Sequence, residues 1–268
     1  MHPLIHIFGR SIGTYALIAI FAVLLCSWIF IILLKKHGIT VEEGILFILF
    51  VLLGIVVGSK LLYAATQYRY IPYLFKKAEF SLWIRRAKFI FGGSVFYGGL
   101  VGGLLVGYIR LKATKKDISL YSDMMAPIIP LFHGITRVGC FFAGCCYGIP
   151  CEFGFTVHNN NVVPSVNGVV RFPVQLLESF ANLLLAAVIF LLLNKAKSSR
   201  YLSGNLLKIY LISYGVIRFL DEFLRGDEYR GFIGIFSISQ WISLFMIVLN
   251  SVLLVRSITR IKKAKSTV

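Results

Sequence analysis

Seven stretches of this 268-residue chain are apolar over the length needed to cross a lipid bilayer, and no other property restricts its fold so severely. They run over about 11–34, 44–66, 92–110, 119–144, 174–194, 204–224 and 236–256. A hydrocarbon core of ~30 Å takes about 20 helical residues to span, and a backbone without water must satisfy its own N–H and C=O groups. The pattern predicts an all-α fold: a polytopic membrane bundle of about seven transmembrane helices, forming a single integral membrane domain over 1–268. Proline and glycine inside the third and fourth windows are compatible with this, because neighbouring helices can re-satisfy the backbone. The first window lacks the basic flank and small-residue cleavage site of a signal peptide, so it is read as a helix. No repeat, nucleotide motif or soluble catalytic triad is present.

Lysine and arginine set the expected orientation. Lys35 and Lys36 follow the first window, Arg110, Lys112, Lys115 and Lys116 the third, and Lys195, Lys197 and Arg200 the fifth. The tail carries Arg256, Arg260, Lys262, Lys263 and Lys265. These segments share one side if the N-terminus is outside and the C-terminus cytoplasmic. The segment 67–91 breaks the rule, being basic yet external, and its aromatics interleaved with Arg69, Lys76, Lys77, Arg85, Arg86 and Lys88 suit an external amphipathic arm in the headgroup layer. The turn-rich segment 148–173 predicts a small external loop region. A formal net charge of +17 thus reflects topology and anionic lipid, with no nucleic-acid partner.

Two arginines stand where a charge is expensive. Arg137 lies late in the fourth window and Arg218 late in the sixth, and a charge at mid-helix costs at least ~2.5–3.5 kcal/mol. Guanidinium groups match phosphate or carboxylate bidentately, so the pair points to an anionic substrate within the bilayer. The predicted topology places Tyr97, Arg137, Gln175, Glu178, Arg218, Asp221, Glu222, Arg225, Ser237, Ser239 and Gln240 at one depth on five helices. Glu222 follows Arg218 by four residues and should pair with it. His133 precedes Arg137 by one turn and reads as a core histidine, with a role as base left open. Asp123 is expected to cap or pair locally. The glycines at 92–93, 98–99 and 102–103 read as helix-packing surfaces.

Cys140, Cys145, Cys146 and Cys151 crowd the end of the fourth window. Their spacing fits a metal site poorly, so neither metal nor other cofactor is expected. Close packing at a helix end, a Cys146–Cys151 or Cys145–Cys151 bridge, and a reactive thiol are the readings open to them.

These residues carry a resemblance. The segments GGSVFYGGLVGG (92–103), SDMMAPIIPLFHGITRVGCFFAGCCYG (122–148), FPVQLLES (172–179), YGVIRFLDEFLR (214–225) and SISQ (237–240) resemble, in order and spacing, the prolipoprotein diacylglyceryl transferases, seven-helix enzymes of the bacterial plasma membrane. The resemblance implies transfer of diacylglyceryl from the phospholipid phosphatidylglycerol to the lipobox cysteine thiol in a prolipoprotein signal peptide, as a step of lipoprotein maturation. It implies that Arg137 and Arg218 hold the phosphate, that Glu222 aligns Arg218, and that Gln175, Glu178 and Gln240 orient the headgroup or the arginines. Three positions differ from the family pattern: Tyr97 replaces the usual histidine before Gly-Gly, Cys140 the signature asparagine, and Lys60 a common arginine. Tyr97 therefore becomes the candidate proton acceptor. A divergent paralogue using another lipid or acceptor, and a non-catalytic phospholipid-binding protein, stay open as alternatives.

Overall fold

The structure, a computed structural model, describes residues 4–7, 10–77, 79–158, 164–226 and 231–266. Its helices are α1 (Thr14–Lys35), α2 (Val41–Thr66), α3 (Phe80–Phe91), α4 (Phe96–Ala113), α5 (Ile118–Ala143), α6 (Val174–Ala196), α7 (Leu206–Asp221) and α8 (Ile238–Ser266). By length and composition α1, α2, α5, α6 and α8 can each cross a membrane, and α3 with α4 forms a further candidate bent by 86°. The expected polytopic helical bundle is therefore present, with one difference of detail. The sixth window is helical, but at 16 residues α7 extends only about 24 Å, short of the hydrocarbon thickness. It is bounded at one end by Gly204-Asn205, and beyond Asp221 it tightens into a 3-10 turn, Glu222–Leu224. Ahead of α1, Leu4–Ile7 and Arg10–Gly13 pair as antiparallel strands that the periodicity did not announce.

The described chain divides into two compact units, Ile31–Ile118 and the combination of Met1–Phe30 with Ser119–Val268. In the first, α2 and α4 pack antiparallel along a seam of glycines. A Cβ on Gly58 would lie 2.3 Å from the Gly98 carbonyl oxygen, and one on Gly102 would lie 2.2 Å from that of Gly54. Backbones meet this closely only where side chains are missing, which is the small-xxx-small arrangement the sequence suggested. The bend between α3 and α4 falls at Gly92-Gly93, whose two carbonyls accept hydrogen bonds from Lys60 Nζ at 2.9 and 3.0 Å. Lys60 thus serves the corner. The amphipathic arm is a 3-10 turn (Tyr68–Phe75) followed by α3, joined where Arg86 donates to the Tyr73 carbonyl at 2.8 Å. Phe75 and Phe80 are among its most exposed side chains.

In the second unit α5, α6, α7 and α8 form the frame of polar residues described below. Their apolar core gathers Ala126, Leu185, Ile189, Leu206, Tyr210 and Tyr214 from three helices. α5 stays helical through Pro127 and Pro130. Between α5 and α6 a small head forms from strands Pro150–Thr156 and Val170–Arg171 around Tyr147, Val157 and Val166. Residues 159–163 of that expected loop region lie outside the described residues.

The glycine seam generates a stability prediction. Gly98→Val drives a side chain against the Gly58 carbonyl, 2.4 Å from the would-be Cβ, and should cost about 1–3 kcal/mol or more. The exposed Val101→Ala on the same helix should change little. Thermal unfolding in detergent compares them, and equal midpoints would contradict the packing account.

Candidate functional site

The site begins with helix alignment. Asp123, near the start of α5, accepts from the backbone N–H groups of Gly204 at 2.6 Å and Leu206 at 3.0 Å, so it caps α7 from a neighbouring helix. Gly204 reaches the left-handed φ of +74° that this turn requires. Two to three turns on, the rings of His133 on α5 and Tyr214 on α7 meet at 5.2 Å. The two helices therefore run parallel in register, and the residues four positions past that contact, Arg137 and Arg218, stand at the same level. α6 runs antiparallel to α5: Ser179 Oγ donates to the Gly134 carbonyl at 2.7 Å, and Gln175 Nε2 to that of Cys145 at 2.8 Å. A Cβ on Gly134 would lie 2.8 Å from the Leu183 side chain, so this glycine permits the approach of α6.

That approach buries an ion pair. Arg137 Nη2 lies 2.9 Å from Glu178 Oε1, with both residues buried. Arg137 Nε donates to His133 Nε2 at 3.1 Å. A guanidinium nitrogen can only donate, so His133 accepts through Nε2 and carries its ring hydrogen on Nδ1. His133 is thus a neutral brace for Arg137, and taking up a proton would cost it this bond and set two cations together. Glu178 also lies in the field of Arg218 and Arg225.

Arg218 has a different set of contacts. Its Nη2 pairs with Glu222 Oε2 at 2.7 Å, the four-residue step expected from sequence, and donates to Ser239 Oγ of α8 at 3.3 Å. Its Nη1 is buried and has no hydrogen-bond partner among the described residues, and neither does Asp221 Oδ2. An unpaired buried donor of this kind costs ~1–3 kcal/mol or more, which an incoming anion would recover. The site as a whole sets three buried arginines (137, 218 and 225) among Glu178, Asp221 and Glu222.

The other nominated residues divide. Gln175 is buried and holds the turn after α5. Gln240 is committed to the start of α8: its Oε1 accepts from Ser237 N at 3.0 Å while its own N–H donates to Ser237 Oγ at 3.2 Å. This is a capping box, and Gln240 Nε2 adds a 3.4 Å bond to the Phe219 carbonyl. Tyr97 lies in the other unit, half-buried in the first turn of α4 with its ring edge-on to Phe96 at 5.8 Å. Sequence reasoning set Ser239 and Arg225 at this depth without giving them a role and did not nominate Tyr214, for which the four-residue steps Tyr214–Arg218 and Arg218–Glu222 were the available signal.

The cysteines occupy the C-terminal end of α5. Gly144, at φ +70°, reverses the chain, with its N–H on the Phe141 carbonyl and the Cys145 N–H on the Cys140 carbonyl, the two bonds of a Schellman cap. This turn stacks Cys145 and Cys146 over Cys140, so the three Sγ atoms lie within 4.8 Å of one another. Arg137 Nη1 is 3.9 Å from Cys140 Sγ. Hydrogen bonds from the Cys140 and Cys145 thiols hold the Cys146 thiol well below its ordinary pKa against the effect of burial, with further help from Arg137 and Arg225. The same bonds, with Cys140 first and Cys146 next, push Cys145 up. All five cysteines are free thiols, and Cys151 instead donates to the Phe153 carbonyl.

Comparison with known proteins places the chain in a family. The family model for prolipoprotein diacylglyceryl transferase matches residues 3–256. The phosphatidylglycerol–prolipoprotein diacylglyceryl transferase of Clostridium tetani is 33% identical over 229 residues, covering 85% of this chain and 86% of the relative. The Bordetella avium protein of the same name is 34% identical over 220 residues, covering 80% and 76%. Transferase 2 of Clostridium perfringens is 29% identical across 97% of this chain and 96% of its own length. With the family model spanning nearly the whole sequence, the chain belongs to the prolipoprotein diacylglyceryl transferase family.

Proposed function

We propose that this chain transfers the diacylglyceryl group of phosphatidylglycerol to the lipobox cysteine thiol of a prolipoprotein. Family membership supports the reaction, and one observation carries the site: the buried Nη1 donor of Arg218, level with the Arg137–Glu178 pair. In the reaction a carbon–sulfur bond forms at the glyceryl carbon as its bond to the phosphate oxygen breaks. Glycerol phosphate leaves with the electron pair, and the thiol proton passes to a base. Charge grows on the leaving phosphate, and donors already fixed in a water-poor site stabilise it without reorganising. Arg218 offers the spare donor while Glu222 fixes its plane. Arg137 supplies the second cation, braced by His133 and Glu178. Gln175 acts by holding the turn after α5, and Gln240 by fixing the start of α8 beside Ser239.

Removing either arginine should cost about 10²–10³-fold in turnover, the scale of one lost transition-state donor. Arg137→Lys and Arg218→Lys should recover only part, because an ammonium lacks the planar fork. Transfer of radiolabelled phosphatidylglycerol to a lipobox peptide reads this out. Normal turnover of Arg218→Ala would remove the phosphate role, and no transfer by the parent protein would favour a lipid-binding protein without catalysis.

We further propose Tyr97 as the proton acceptor. A phenol titrates ordinarily near ~10 and an imidazole near ~6.5, so Tyr97→His should keep or raise activity with a lower pH optimum. Tyr97→Phe should lose about 10²-fold or more. Parental activity in the phenylalanine variant would exclude the role.

The same reading sets the N-terminus outside a bacterial plasma membrane and the C-terminus in the cytoplasm, supported by the basic segments after the first, third and fifth windows. An impermeant thiol reagent applied to intact cells should then fail to label a single cysteine placed at residue 264. Labelling there would reverse the orientation.

A further inference from the structure

The Schellman turn at the end of α5 does more than close a helix. It collects three free thiols, from residues 140, 145 and 146, whose sulfurs all lie within 4.8 Å. We propose that Cys140, Cys145 and Cys146 form a three-thiolate site for one thiophilic d10 cation, Zn²⁺ or Cu⁺.

Four observations bear on it. The donor set is all sulfur, which selects soft cations over Mg²⁺ or Ca²⁺. Tetrahedral bonds of about 2.3 Å place sulfurs about 3.8 Å apart, so side-chain rotations of under an ångström or so would close the site. The three positions differ in access: Cys140 is buried, Cys146 half-buried and Cys145 exposed, which gives a floor, a wall and an entry. Three protein ligands leave a fourth position open in the tetrahedral case, whereas Cu⁺ is satisfied by three.

The backbone supplies a separate argument. Cys146 sits at φ +55°, a left-handed conformation that glycine adopts without strain and cysteine does not. The neighbouring Gly144 shows that this turn uses glycine where only the backbone matters. At 146 the strained geometry instead carries a thiol, turned toward the other two.

Charge fits as well. Three thiolates around a monovalent or divalent cation leave a net negative complex, and Arg137 Nη1 stands 3.9 Å from Cys140 Sγ to offset it. Metal knuckles usually set paired cysteines with two to four residues between them on tight hairpins, often with histidine. Here Cys140 and Cys145 have four residues between them, and a helix cap makes the turn and adds Cys146.

The test titrates tag-free, reduced full-length protein in detergent with Cd²⁺, a d10 probe with a sulfur-to-metal charge-transfer band, and then measures X-ray absorption of the Zn²⁺ and Cu⁺ forms. One Cd²⁺ per chain is expected, with the band lost and affinity falling at least ~10-fold in Cys145→Ser and Cys146→Ser, the scale of a perturbed metal site. Cys151→Ser should bind as the parent does. Absorption spectra of the unmodified protein should show three sulfurs at about 2.3 Å, with one lighter neighbour for Zn²⁺ and none for Cu⁺, which tests the site even if the serine variants fold poorly. No charge-transfer band at one equivalent, fewer than three sulfur neighbours, or equal loss in Cys151→Ser would overturn it. So would a disulfide among residues 140, 145 and 146 in fully reduced buffer.

Discussion

A guanidinium cannot be left alone among apolar helices, and the pairing of Arg137 with Glu178 is the constraint around which this unit is organised. Breaking a buried pair by removing one partner costs about 3–5 kcal/mol, whereas the intact pair adds little net stability. Its value lies in specificity. Only one register of α5 against α6 brings the two side chains to 2.9 Å, and Gly134, Ser179 and Gln175 all serve that register. His133 completes the brace from the preceding turn.

The same logic extends to α7. Asp123 pins its start and Tyr214 meets His133, which leaves no freedom in the height of Arg218. Glu222 and Ser239 then occupy one face of that guanidinium, and the opposite nitrogen keeps a hydrogen with no partner among the described residues. A protein that buries polar groups usually satisfies them, and the spare donor of Arg218 is the observation on which the proposed phosphate role rests. The Arg137 pair that fixes the helices and the Arg218 guanidinium proposed to meet the lipid therefore stand at one level of the same unit.

Much of this was legible in the residue order. Apolar windows announced the bundle, arginines at helical depth marked the two residues that the structure buries at one level, and the glycines at 98–99 and 102–103 announced close helix packing, though not that α2 is the partner. The Arg218–Glu222 step predicted an ion pair that the structure contains. Other features depend on tertiary geometry that periodicity does not encode. The shortness of α7 follows from where its caps fall, and the 86° corner at Gly92-Gly93 from carbonyls held by Lys60, thirty-two residues earlier in the chain. The resemblance gave Gln240 the task of orienting the headgroup or the arginines, while Ser237-x-x-Gln240 also spells a capping box, and the structure shows those capping bonds. Close packing of the cysteines at a helix end was among the readings the sequence allowed, and the α5 cap brings Cys140, Cys145 and Cys146 together there.

The central claim is that the two arginines at one level receive the phosphate of a phospholipid. An experimental structure with phosphatidylglycerol bound tests it most directly. The account predicts phosphate oxygens within about 3 Å of Arg218 Nη1, and at charge-assisted distance from the Arg137 guanidinium as well. A headgroup bound elsewhere, with Arg218 Nη1 still without an anionic partner, would contradict it.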